Sequence, residues 1–479
     1  MRNVTANPTT ASLLAAALVL AAALGIAELR PPAHPPADGP AGATHTRVER
    51  TSAICPQPVQ GLSGTTTYTA FTPSGDSGSA GTPAATGAGS GKAVLTDVAG
   101  VAQPSTPPSG KPAGTASPKA SGKPPAKAPG KGAGAPRAAL RKTGTPVSAK
   151  APTGDAAPAV AAVTDAHGRG LSGLTCGASG TGFWFAGAST AAGREDYVNL
   201  TNDEDQSAIV DLVLYGAKGE IDDGTAGSLT VPPGSSVPVL LSTLTRTPEP
   251  DLVVNVVART GRVGAALHAS DGAKGSDWLP ASATPDGTAV IPGLPGDLTA
   301  ARLVVLAPGD DDADLKVQLS GPNGWFTPAG HETLHVKSGM VSAVDLGALT
   351  RGTAAALRLS PTDPKHSTPV VAGLRVDRGK GTRTDAAWLA GSAPVGDRAT
   401  SAENWRGGST LILTSTGAAA KVRVTSSAGS GGGTPAVKEV QLPAGGTVSL
   451  AAPEPPGVKG SWAVTVETLS GGPVAAARV

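Results

Sequence analysis

Apolar residues in the second half of this chain recur at a spacing of two. Val210, Leu212 and Leu214 do so, as do Leu315, Val317 and Leu319, and again Val422 and Val424. That period places one side chain in two on the same face of an extended strand, whereas a helix needs spacings of three and four. Ahead of each alternating strand stands a short apolar run, at 197–200, 303–306 or 411–413, followed by a polar or glycine-containing turn. Behind it come a strand, a tight turn and a second strand: 229–234 before Val237 and Val239, 334–339 before Val341 and Val344, 440–445 before Val448 and Leu450. In each, Pro or Lys, one residue and then Gly supplies a fixed turn. Two more strands close each copy, at 252–257 with 263–267, 354–359 with 370–374, and 462–466 with 474–479.

A sheet of this sort buries one face, and two sheets packed together bury both, so a sandwich is the economical solution. The expected fold is all-β: tandem immunoglobulin-like β-sandwich modules after an N-terminal transmembrane helix and a disordered basic Pro/Ala/Lys-rich linker. Trp184, Trp278 and Trp388 mark the modules, 94 and then 110 residues apart with 91 remaining. Each reads as a large apolar plug at a seam or sheet edge, with an exposed ligand platform as the alternative. Trp462 falls inside a strand, while Trp325 and Trp405 lie in turn-rich stretches and are the candidates for ligand stacking. The expected modules are 159–282, 283–389 and 390–479, with boundary turns near 282–300 and 390–408.

Composition changes the picture ahead of the modules. Gly 65 and Pro 44 in 479 residues are too many turn formers for the whole chain to be folded. Residues 1–10 read as a short cytoplasmic N-terminus, and 11–27 are uncharged and Ala/Leu/Val-rich, so 11–29 reads as a transmembrane helix or a secretory signal peptide. Both readings export the rest of the chain, as a single-pass membrane protein or as a secreted one. Residues 31–49 read as a flexible tether and 50–103 as a β segment of the first module. Residues 104–158 hold twelve prolines and read as a disordered linker or insertion.

That linker also concentrates charge. Lys111, Lys119, Lys123, Lys127, Lys131, Arg137, Arg141, Lys142 and Lys150 are nine positive charges with no acidic residue among them, against a chain total of +2. The rest of the chain is therefore acidic. A like-charged spacer is one reading; contact with anionic lipid headgroups or an anionic wall polymer is the other. Nucleic acid is not expected, since no aromatics interleave the lysines. The two cysteines, Cys55 and Cys176, flank the linker, and in an exported chain they read as one disulfide, free buried thiols being the alternative.

Catalytic apparatus is sparse. His331-Glu332-Thr333-Leu334-His335 has the spacing of a His-Glu-X-X-His zinc motif, but that motif works on a helix, whereas the repeat predicts a strand here and the third copy has Gln441 where the second has His335; no phosphate loop, dinucleotide fingerprint or hydrolase elbow is present. Acidic turns occupy the same place in two copies, and Asp203, Asp205, Asp310 and Asp312 are weak calcium candidates beside a solvated-turn reading. No cofactor is expected.

With these features in hand, the chain resembles an uncharacterised family of exported or membrane-anchored actinobacterial proteins, the domain of unknown function 5719. The resemblance lies in the apolar N-terminal segment, Ile54-Cys55-Pro56, Leu174-Thr175-Cys176 with Phe183-Trp184-Phe185, and the strand pattern beyond. It implies a membrane-associated or secreted protein and supplies no activity. The expected function is a non-catalytic extracytoplasmic envelope protein, not an enzyme, whose modules present a surface to a wall polymer or an envelope protein. An unrecognised enzyme processing a cell-envelope polymer is the alternative.

Overall fold

The computed structural model describes residues 50–57, 64–71, 94–100, 147–152, 160–167, 172–222, 227–272, 274–429 and 432–479. They are strands joined by turns, with two three-residue 3-10 turns, Leu241–Thr243 and Gly381–Arg383. Among them no helix is long and apolar enough to cross a membrane. The expected transmembrane helix is therefore not retained, nor are the membrane as a partner and a single-pass placement in it. Residues 11–29, which carry that expectation, lie outside the described residues, as do 1–10 and 31–49.

Three two-sheet sandwiches repeat one strand order. The opening strand, Gly182–Ala188, Ala289–Leu294 or Arg398–Asn404, pairs with a strand from near the end of the copy, Leu252–Thr260, Ala355–Pro361 or Trp462–Gly471. That strand pairs in turn with the alternating one, Ala208–Gly216, Ala313–Gly321 or Ala420–Ser427. The facing sheet centres on Tyr197–Asn202, Leu298–Leu306 or Thr410–Ser415. Its flanks are Ser235–Leu240, Val341–Asp345 or Thr447–Ala451 on one side and Gly264–Asp271, Val371–Arg378 or Val474–Arg478 on the other. A further strand, Gly275–Leu279 or Asp385–Ala390, extends this sheet in the first two copies.

This order corrects the immunoglobulin-like assignment. An immunoglobulin sandwich keeps its first two strands in one sheet. Here the first two strands of every copy lie in opposite sheets, so the copies share a layer architecture with that fold but not its strand order. The alternation itself has the expected consequence. Leu315, Val317 and Leu319 are buried while Asp314 and Lys316 are exposed, and three separate apolar cores form around Leu214 and Val254, Leu303 and Leu357, and Leu413 and Val464.

Of the three opening strands, the second and third fall in stretches that read as boundary turns, 282–300 and 390–408. Each carries a bulge near its end, and the bulge conceals it from a period-two search. The register shifts past Gly187, past Gly293 and past Glu403, all three at positive φ (111°, 92° and 56°). Glycine meets that geometry at little cost; Glu403 does so under strain. Each bulge also receives a neighbour. The Trp388 indole N–H donates to Gly187 O at 3.2 Å, a Cβ at Gly293 would meet Ala477 Cβ at 2.7 Å, and Arg478 donates to Glu403 O at 2.9 Å.

The N-terminal part forms two small sheets, Arg50–Ile54 with Val147–Pro152 and Val94–Asp97, and Gly64–Phe71 with Val160–His167 and Ser172–Thr175. Val147–Pro152 is the central strand of the first, so the expected disordered linker is corrected at its C-terminal end; Lys111 to Lys142 lie outside the described residues. Ala99–Gly100 adds a parallel edge strand to the first sandwich. Cys55 and Cys176 form a disulfide with Cα atoms 4.7 Å apart, and Ile54 N–H donates to Gly177 O at 2.6 Å beside it.

Candidate functional site

The sandwiches meet at two seams. Between the first and second, the outer faces of Gly182–Ala188 and Leu252–Thr260 pack on those of Leu298–Leu306 and Val371–Arg378, and Ala186, Val253, Val304, Leu306, Val341 and Val371 form a fourth apolar cluster. Gly373 is required there, because a Cβ would stand 2.0 Å from Ala186 O. Charged pairs rim the contact: Arg302 with Asp251 at 2.7 Å, Arg375 with Asp271 at 2.8 Å, and Lys274 with Asp377 at 2.5 Å.

Between the second and third sandwiches the surfaces close less fully. Ser320 Oγ donates to Gly445 O at 2.8 Å and lies 2.6 Å from Thr447 Oγ1, which lies 2.8 Å from Thr414 Oγ1. Beside this hydroxyl chain a cleft of about 340 Å³ remains open. Its floor is Val371, Ala372, Ala475 and Arg358, and its rim carries Thr284, Asp286, Thr288 and Ala393. Ser392 also lines it, and Ser392 Oγ is buried with no hydrogen-bond partner.

Arg358 is the distinctive group. Its strand projects it from the outer face of the second sandwich, where Nε and Nη2 donate to Gln318 Oε1 at 3.1 and 2.6 Å. Nη1 makes a long contact of 3.5 Å to Thr416 O of the third sandwich. The guanidinium lies 4.3 Å over the Trp325 ring. Burial pushes its pKa down, and no carboxylate opposes the shift.

Chain matching places this site within a known group. The family of unknown function DUF5719 matches residues 136–453, more than half of the chain. The chain belongs to that family. No curated protein and no solved structure matches it. In this DUF5719 member the matched span takes in Cys176, Arg358, Trp325 and all the cleft residues except Ala475, whereas Cys55 lies ahead of it.

The residues singled out in the sequence are dispersed. Trp278 and Trp388 are buried on the last strands of their sheets; Trp278 meets His268 edge-on at 5.1 Å, and Trp388 enters the first sandwich's core between Arg194 and Arg375. Trp184 is half-buried, stacks with Tyr215 at 6.1 Å and sits on an opening strand, so it is not the counterpart of the other two. Trp325 is half-buried under Arg358, and Trp405 is half-buried against the third core.

The acidic turns serve local structure. Asp312 accepts from Ser338 N–H at 2.8 Å, and Asp314 lies 2.8 Å from His335 Nδ1. Asp205 and Asp310 are exposed and Asp203 is half-buried. Among the described residues no three or more His, Cys, Asp or Glu side chains are grouped to hold a metal ion.

A second polar junction has no forewarning in the sequence. Asp277, adjacent to the marker Trp278, is half-buried where the first sandwich meets the N-terminal sheet. It accepts from Trp278 N–H at 2.8 Å and Gly173 N–H at 3.4 Å. Burial pushes its pKa up to about 7; the Trp278 and Gly173 donors oppose that, Asp385 adds to it and Arg478 opposes it. Thr69 and Glu403 hydrogen-bond nearby, joining the N-terminal sheet to the third sandwich.

Proposed function

We propose that the protein is a non-catalytic, exported component of the cell envelope that holds a ligand in the cleft between its second and third sandwiches. The observation that carries this reading is the chemistry of the cleft. Its described lining consists of hydroxyls, small apolar side chains, one guanidinium and one carboxylate, without histidine, cysteine, glutamate or lysine. General acid–base and nucleophilic catalysis draw on two cooperating polar groups within hydrogen-bond reach. Binding needs only a shaped, partly apolar recess with a few placed polar atoms. The Cys55–Cys176 bond supports export, because such bonds persist in oxidising compartments.

The same cleft offers one observation for an enzyme acting on an envelope polymer: Asp286 shares it with Ser282, Thr284, Thr288 and Ser392. The two readings separate in one experiment on the secreted chain mixed with an insoluble cell-wall fraction. Binding predicts retention that Ala393→Trp abolishes at the cleft rim, with no soluble product. Release of soluble fragments by the wild type, lost in Asp286→Asn, replaces binding with catalysis. Retention unaffected by Ala393→Trp removes the cleft from the function.

A further inference from the structure

We propose that the cleft recognises a free carboxylate carried on small apolar residues, the C-terminal end of a short peptide, with Arg358 as the carboxylate's partner. This rests on the reading of the cleft as a ligand site. Five arginines elsewhere on these sandwiches pair with acids: Arg194 with Asp196, Arg302 with Asp251, Arg375 with Asp271, Arg378 with Asp297 and Arg406 with Glu454. Arg358 has a neutral amide, a main-chain oxygen and an indole face instead. A guanidinium carries five N–H donors. Three are engaged, which leaves two for a ligand.

Trp325 and Gln318 hold the fork in one orientation, so little side-chain freedom is lost when a planar two-oxygen anion docks on it. The charge of the site selects among anions. Arg358 is the single cation in the cleft's described lining, and Asp286 is exposed on its rim. A singly charged carboxylate is matched there, while a phosphate dianion meets one cation and one repelling carboxylate.

The walls select the rest of the ligand. Val290, Val370, Val371, Ala372 and Ala475 leave space for methyl-sized groups, and the described lining has no aromatic ring on which a sugar could stack. Ser392 Oγ supplies a buried, unpartnered hydroxyl, whose hydrogen bond a peptide amide or the carboxylate itself completes. The volume of about 340 Å³ lies at the small end of ligand sites and suits one or two small residues.

The test uses the full secreted chain and calorimetric titration with N-acetyl-alanyl-alanine, its C-terminal amide and glycerol 3-phosphate. The free acid is expected to bind at least about tenfold more tightly than the amide, the range of one charge-assisted contact. Arg358→Gln should abolish that difference, Arg358→Lys should retain part of it, and Ala393→Trp should block binding without touching Arg358. Unfolding temperature checks that each variant is folded. Equal binding of acid and amide, tighter binding of glycerol 3-phosphate, or a folded Arg358→Gln that still prefers the acid each overturns the proposal. No binding of the acid, with wall retention still abolished by Ala393→Trp, overturns the carboxylate assignment and leaves the cleft's binding role standing. Retention indifferent to Ala393→Trp overturns that role itself.

Discussion

The two seams between sandwiches are built from equivalent strands of successive copies and have opposite characters. At the first, the outer faces of both sheets are apolar, Gly373 lets the backbones approach, and Trp388 crosses from the second sandwich into the first core. At the second, the contact is a chain of hydroxyls through Ser320, Thr447 and Thr414, an arginine stands over a tryptophan ring, and space is left over. Inward-facing residues of the copies are interchangeable in kind, so the fold repeats. Outward-facing residues decide whether a seam is filled or hollow, and the hollow one holds the unpartnered Ser392 hydroxyl.

The contrast breaks most directly at Gly373. Replacing it with alanine places a Cβ 2.0 Å from a main-chain oxygen that no rotamer change can move, so one sheet must shift against the other. Overpacking of this kind costs about 3 kcal/mol. Differential scanning calorimetry should show the first and second sandwiches unfolding at a lower temperature and separating into distinct transitions. An unchanged thermogram would mean that the first seam is as loosely closed as the second.

A smaller effect should appear at Asp277. An unfolded aspartate titrates near 4, and burial holds Asp277 at about 7 in the folded chain. The folded state therefore binds the proton that the unfolded state has released. The stability contributed by the neutral acid is complete below about pH 4 and is lost as the pH rises through 7. Between pH 5 and 7 the loss is about 2 kcal/mol, at roughly 1.4 kcal/mol per unit of proton linkage. Asp277→Asn should flatten the stability profile by that difference in denaturant titrations at the two pH values. Parallel profiles for wild type and variant would show that Asp277 stays ionised, held by Arg478.

Much of the fold was legible because burial leaves a periodic trace. Leu315, Val317 and Leu319, or Val422 and Val424, announce a strand and its inner face without reference to any neighbour. The cysteine pair was legible from its number and its place around the basic segment. What escaped has physical causes. Ala289–Leu294 and Arg398–Asn404 carry bulges that break the period. Val147–Pro152 reads as linker, because alanine, lysine and flanking prolines have weak strand preference, yet pairing on both sides holds it in place. Arg358 belongs to a period-two pattern as an ordinary outward residue. Its lack of an acidic partner depends on which strand of another sandwich lies opposite, and no local pattern encodes that. Trp388 shows the same limit, since alternation gives the face of a side chain but not whose core it enters.

The smallest expected effect sharpens the contrast from the other side. Ser320 is fully buried at the second seam, and its hydroxyl links Gly445 O to the Thr447–Thr414 pair. Ser320→Ala removes one neutral hydrogen bond and leaves Gly445 O without that donor, at a cost of about 1 kcal/mol. Thr447 retains Thr414, so the chain shortens without being broken. The loss should fall on the contact between the second and third sandwiches alone. Hydrogen exchange should therefore rise at Gly445 to Thr447 and stay unchanged at Ala186 and Val253, which lie in the filled seam. Equal loosening at both seams would show that the three sandwiches respond as one block, and the division into a filled and a hollow contact would fail.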